Sequence, residues 1–278
     1  MSKINFATLL IWLVAIVITT VFVFILAEII VYGLSGLSWS FLVEPPQNAG
    51  RSGGIGPIII STGLILFVAI ATAAPLGLAT AVLLTEFTPQ DSRFGFFVER
   101  SIDILAGIPS IVFGLFGNAF FCLYLGLGFS ILSGGLTLAC MVLPILIRTA
   151  TEGFRAVPND YRLAASALGL TRSAALIHLL LPTATPALVA GLLLGIGRAG
   201  AETAALIFTS GYVDRMPDSL FDSGRALSIH IYDLSMNVAG GDANANSTAL
   251  VLIIILFLIN STSISLANQW MHKRVISS

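Results

Sequence analysis

Six apolar runs, each long enough to cross a lipid bilayer, leave this chain few ways to fold. From Phe6 to Tyr32 the only charged side chain is Glu28, and comparable runs cover about 58–84, 102–127, 132–149, 179–208 and 248–270. Lipid offers the backbone no hydrogen bonds, so an apolar run of about twenty residues reads as a transmembrane helix. Composition agrees: 56% of residues are hydrophobic and 10% charged, where soluble domains carry about 25% charged residues. The first run is too long for the roughly 7–15-residue core of a signal peptide, and no A-x-A-like site follows it, so it reads as a retained span. The expected fold is an all-α integral membrane protein of about six helices. Residues 1–52 supply one span and an outer loop; residues 53–278 hold the other five spans.

Lysines and arginines set the orientation. With the N-terminus inside, the inner segments hold Lys3, Arg93, Arg100, Arg148, Arg155, Arg162, Arg172, Lys273 and Arg274, and the outer ones only Arg51, Arg215 and Arg225. Excess positive charge stays on the cytoplasmic side, which places both termini there. The net charge of −1 gives no basic excess for nucleic acid. Cys122 and Cys140 sit in apolar runs and read as small packing residues. His178, His230 and His272 read as surface histidines, since none has metal-ligand spacing with another.

The thirteenth basic residue, Arg198, lies in the middle of the fifth run with Glu202 four residues on. Ionisable side chains at bilayer depth cost about 2.5–3.5 kcal/mol each on insertion scales, and they tend to face inward and to function. On a continuous helix the two share a face and can pair; the other reading is an ion pair that only locks packing. Thr203, Thr209 and Ser210 follow as hydroxyl donors. Small residues mark packing faces: Ala106, Ser110, Gly114 and Asn118 in the third run, and Ala187, Gly191, Gly195 and Ala199 in the fifth. The two stripes can touch each other or a partner subunit. Pro109-Ser110 can break the third helix and free backbone N–H groups, an arrangement that favours anions. Asp103 is placed to cap that helix at its inner end.

The connector 150–178 carries a second pattern. Val157-Pro158 opens a short helix; Tyr161, Ala164, Ala165 and Leu168 line one side, and Gly169 ends it. Such a helix lies on lipid headgroups or docks in a partner's groove. Ala164-Ala165, Gly169, Leu179, Leu181 and Pro182 resemble the "EAA loop" of ABC-importer permeases, with Leu163 in place of the usual glutamate and Glu152 matching an acidic residue that opens the segment. Gly53-Gly54-Ile55-Gly56-Pro57, LAGIPSIVFGLFG at 105–117, GRAGAETAALIFTSG at 197–211 and MPDSLFD at 216–222 narrow the resemblance to the PstA-type membrane subunits of phosphate-specific (Pst) ABC importers.

That resemblance implies a type I (MetI-like) permease in the inner membrane that moves inorganic phosphate. Arg198, Glu202, Thr203 and Ser110 would line its pathway. Glu152, Tyr161, Ala164, Ala165, Leu168 and Gly169 would meet the ATPase. It implies as partners a PstC-type sister permease, a PstB-type ATPase dimer and a PstS-type phosphate-binding protein, for which the outer loop 211–247 offers a surface. No GxxxxGK[ST] motif occurs, so the chain is expected to bind no cofactor, with ATP and magnesium held on the partner, and to be no enzyme. The alternatives are a molybdate or sulfate permease and an ATP-independent secondary transporter. An intramembrane enzyme would need a nucleophile–base pair or an HExxH motif, and neither is present.

Overall fold

A computed structural model describes residues 6–89 and 91–276, with side-chain surroundings for 8–89 and 91–265. Twelve helices are seen among them: α1 (Phe6–Ser35), α2 (Trp39–Val43), α3 (Gly56–Val82), α4 (Arg93–Ala106), α5 (Ser110–Gly117), α6 (Ile131–Arg155), α7 (Asn159–Ala167), α8 (Arg172–Ala175), α9 (Leu181–Gly200), α10 (Ala204–Ile207), α11 (Leu227–Met236) and α12 (Asp242–Ile276). Wider π turns extend α3 over Leu83–Phe87 and α5 over Asn118–Tyr124, and join α8 to α9. Two-residue strands, β1 (Pro46–Gln47) and β2 (Ser52–Gly53), pair antiparallel in the loop before α3.

Five stretches are long and apolar enough to span a membrane: Thr8–Gly36, Gly56–Phe87, Ile131–Arg155, Arg172–Gly200 and Asp242–Ser265. The sixth expected span is broken. Its halves, Arg93–Ala106 and Ser110–Tyr124, meet at 100°. Pro109 cannot donate a backbone hydrogen bond and disfavours helix at the residue before it, so α4 stops at Gly107 and α5 restarts after Pro109. The helix therefore begins at Arg93, inside what reads in sequence as a charged connector. The proline within α3, Pro75, leaves that helix continuous.

The centre of the fold is α3 against α6 against α9. A Cβ at Gly135 would lie 2.6 Å from the Val68 Cβ, and one at Gly153 equally close to the Ala187 Cβ. Without a hydrophobic effect between helices in lipid, such small-residue contacts let backbones approach and gather dispersion energy. The fifth-run stripe of Ala187, Gly191, Gly195 and Ala199 thus seals α9 onto α6, where Gly191 meets Thr149 and Gly195 meets Leu146. It does not meet the third-run stripe. That stripe is itself interrupted: Ala106 is exposed before the break, while Gly114 packs on α10, its Cβ position 2.9 Å from the Ala205 Cα. Outside this centre, α1 packs along α12, and α2, α3, α11 and α12 share a cluster of Phe41, Ile55, Ile58, Leu227 and Val251.

The loop 211–247 is more ordered than its polarity suggests. Its residues Leu227–Met236 form α11, and His230 on that helix is 1% exposed, not a surface histidine. The Arg225 guanidinium donates to His230 Nδ1 at 3.3 Å, pairs with Asp233 at 3.3 Å and donates to the Tyr212 carbonyl at 2.9 Å. Gly50 lies over the ring, with its carbonyl held by Asn244 at 2.8 Å. Burial first, then the Arg225 charge, lowers the His230 pKa to about 4, against a smaller opposing effect of Asp233. The folded state keeps the ring neutral while an unfolded chain protonates it below about 6.5. This contribution to stability is therefore complete above pH 6.5 and is lost as pH falls toward 4. Between pH 7 and 5.5, the detergent-solubilised wild type should lose about 1 kcal/mol more than His230→Gln. Thermal unfolding of both proteins across that range checks this, and parallel pH profiles would rule it out. His178 is exposed; the side chain of His272 lies outside the described residues.

Candidate functional site

Two broken helices converge beside α6. The first is the α4–α5 break at 107–109; the second is the end of α9. There the chain makes no continuous helix through Glu202. Helix α9 stops at Gly200, residues 201–203 make an irregular turn, and α10 begins at Ala204. Two interactions hold the turn open. The Glu202 carboxylate accepts a hydrogen bond from the Ala205 amide at 3.2 Å, a side-chain cap for the new helix. The Glu202 carbonyl accepts one from the Ser228 hydroxyl of α11 at 2.6 Å. Helices α5 and α10 then pack together, with Asn118 Nδ2 donating to the Phe208 carbonyl at 2.8 Å.

This corrects the expected Arg198–Glu202 pair. The break turns Glu202 away from the α9 face that carries Arg198, and no ion pair joins them among the described residues. Arg198 occupies the last turn of α9, one turn beyond the exposed Leu194, on the exposed flank that borders the Gly191–Gly195–Ala199 seam. It is exposed, and its guanidinium has no hydrogen-bond partner among the described residues. Thr203 is half-buried at the head of α10, and Ser110 half-buried at the head of α5. The packing of α5 on α10 brings the segments holding Ser110, Glu202 and Thr203 together, while Arg198 stands one turn before them. Thr209 and Ser210 are unavailable to a ligand: both are 0% exposed, and their hydroxyls donate to the carbonyls of Ala205 and Leu206.

The connector forms α7 as its proline and glycine require. Pro158 precedes the first turn. At the other end Gly169 adopts φ +71°, a left-handed conformation that glycine takes at little cost. The amides of Gly169 and Leu170 then reach back to the carbonyls of Ser166 and Ala165, at 3.1 and 3.0 Å, a Schellman closure. The expected single face is divided. Ala165 is 2% exposed and turned to the protein body, whereas Tyr161, Ala164 and Leu168 face outward, Leu168 being 78% exposed. Glu152 belongs to the penultimate turn of α6, where it lines a cleft of about 360 Å³ with Glu99, Arg148 and Arg155.

Three cross-helix ion pairs escaped the sequence reading. Asp103 pairs with Arg148, instead of capping its own helix, and Glu99 pairs with Arg155 at 2.6 Å, so α4 is strapped to α6. Arg162 on α7 pairs with Glu86 in the π turn after α3 at 2.7 Å. The available signal was spacing: Glu99 and Asp103 lie four apart, Arg148 and Arg155 seven apart, each on one helical face once the helices extend through them.

Comparison with known proteins settles the family. Residues 73–277 match the family model described as "Binding-protein-dependent transport system inner membrane component". The chain belongs to that family. The permease is 31% identical over 242 residues to the probable ABC transporter permease protein YqgI of Bacillus subtilis, covering 82% of each chain. It is 35% identical over 179 residues to the phosphate transport system permease protein PstA 2 of Mycobacterium bovis, covering 64% of this chain and 58% of the relative. For PstA of Xylella fastidiosa the values are 34% over 180 residues, covering 64% and 62%. The chain thus spans about three fifths of the length of these two PstA relatives. Among solved structures, the methionine ABC transporter MetNI in an inward-facing form superposes with a TM-score of 0.61 at 18% identity, over 77% of the permease and 96% of that chain. A bacterial alginate ABC importer gives 0.58 at 12% identity, over 93% and 96%. These two likenesses establish a shared ABC-importer permease fold.

Proposed function

We propose that this permease carries inorganic phosphate inward as one membrane subunit of an ATP-driven importer. The observation that carries the reading is Arg198, a permanent cation with no partner among the described residues, on an exposed flank of a spanning helix just before a break. A guanidinium cannot be left to lipid, so this face meets a water-filled pathway or a second membrane subunit. Its planar fork suits two phosphate oxygens, and in a low-dielectric channel its charge acts far more strongly than in water. The half-buried Ser110 and Thr203 stand at the heads of the two restarted helices as hydroxyl donors. Glu202, a carboxylate near the same break, can accept a hydrogen bond from a protonated phosphate and weakens anion binding enough for release. PstA relatives at 34–36% identity support phosphate over other oxyanions.

The partners follow from the same reading. A PstC-type permease would cover the Arg198 face. A PstB-type ATPase dimer would receive Tyr161, Ala164 and Leu168 of α7, with Glu152 beside them, while Ala165 and Gly169 hold that helix in shape. A PstS-type protein would deliver phosphate to the α11 side. ATP and magnesium stay on the ATPase, the chain itself being non-catalytic, and both termini lie in the cytoplasm. The test is labelled-phosphate uptake in cells whose sole high-affinity phosphate importer contains this chain. Uptake should require ATP and resist excess sulfate and molybdate. Uptake that survives ATP depletion, or that either competitor abolishes, would overturn the reading.

A further inference from the structure

Arg162 is bonded in a way that a surface helix does not need for its own stability. Its Nη2 and Nε donate to the two oxygens of Glu86, at 2.7 and 3.2 Å. The same guanidinium donates to the carbonyls of Phe154 and Val157, both at 3.0 Å. Phe154 is fully buried near the inner end of α6, and Val157 is 3% exposed just beyond it. The pair is largely shielded, with 28% of the Arg162 side chain and 12% of the Glu86 side chain exposed. One side chain of α7 thus joins the π turn that ends α3 to two carbonyls at the end of α6, that of Phe154, which also accepts from the Val157 amide, and that of Val157. Fixed two-point charge-assisted bonds of this kind resist shear as well as separation. An ammonium could supply charge there but not the fork.

We propose that Arg162 is the positioning residue that makes α7 and the inner ends of α3 and α6 one rigid body. Displacement of α7 by the ATPase is then delivered to the helices around Arg198 and Glu202, and is not absorbed in the loop 156–171. This rests on the ATP-driven permease reading. Helix α3 passes the motion on, because it packs closely along α6 and also touches α9. Glu86 is the necessary second half: it lies at the end of a span, where its two carboxylate oxygens take the Nε–Nη2 edge of the guanidinium.

The test uses the complete importer in proteoliposomes, with Arg162→Lys and Glu86→Gln as separate variants. Subunit stoichiometry and ATP hydrolysis should persist, while phosphate moved per ATP hydrolysed falls about tenfold. An unchanged ratio in both variants would overturn the proposal. So would parallel losses of uptake, hydrolysis and assembly, which mark a purely structural contact. A second readout needs no phosphate. Spin labels at Ser166→Cys and Leu83→Cys, with Cys122 and Cys140 replaced by alanine, should keep one sharp distance with and without ATP. Arg162→Lys should broaden it. A wild-type distance that changes on ATP binding defeats the rigid-body idea whatever the substrate is, whereas failure of wild-type phosphate uptake would count only against the substrate.

Discussion

Replacing Arg198 with glutamine should reduce phosphate uptake about a hundredfold while leaving the permease at its normal level in the membrane. Both halves of that expectation come from where the side chain sits. Arg198 has no partner among the described residues and lies on an exposed flank of α9, so glutamine removes no hydrogen bond or ion pair and leaves no buried carboxylate unpaired. What it removes is a fixed charge at bilayer depth and a two-point donor. Arg198→Lys keeps the charge without the fork, so it should fall between wild type and Arg198→Gln. Glu202 predicts a different pattern. Its carboxylate accepts from the Ala205 amide; Glu202→Gln retains an acceptor there and tests the charge, whereas Glu202→Ala also uncaps α10. Initial rates normalised to permease content decide the matter. Wild-type rates in Arg198→Gln would remove Arg198 from the pathway and with it the main support for the substrate assignment.

The membrane class, the α9 seam and the ends of α7 were legible because each rests on a local rule. Apolar length marks spans, glycine and alanine at every fourth position mark seams, and Pro158 and Gly169 mark helix ends. Breaks were half legible. Pro109 announced one. Nothing announced the other, since GRAGAET contains no proline and reads as unbroken helix. It is made by tertiary bonds to Ser228 and by a carboxylate that caps forward instead of pairing backward. The buried His230 was missed for a related reason: its cover, Gly50, is 180 residues away in sequence. Likewise Glu86 and Arg162 each looked like an ordinary connector charge until the fold placed them together.

The GGIGP stretch preceding α3 carries the last and sharpest stability prediction. Its role is visible in the backbone. The amides of Gly54, Ile55 and Gly56 donate to the carbonyls of Pro45, Phe41 and Glu44, at 3.1, 2.7 and 3.1 Å. These are the carbonyls at and after the end of α2, which no helical turn satisfies. To reach them the strand must lie directly on the helix end. A Cβ at Gly54 would stand 2.5, 2.6 and 2.7 Å from the oxygens of Phe41, Glu44 and Ser40, and Gly56 is as closely held against Val43. Gly53 adds φ +79°, which costs a larger residue about 1–2 kcal/mol. Because the obstructing atoms are backbone, no rotamer change relieves the clash. Gly54→Ala must either break those hydrogen bonds or lift α2 from the cluster of Phe41, Ile55 and Ile58, at a cost of about 3 kcal/mol or more. Against a total stability of about 5–15 kcal/mol, that should sharply lower both the thermal midpoint in detergent and the amount of assembled importer. Gly63, two turns into α3, is the control: nothing lies within 4 Å of its Cβ position. Gly63→Ala should be neutral or stabilising by up to about 1 kcal/mol. Equal midpoints for the two alanine variants would show that the contact with α2 is looser than these distances require.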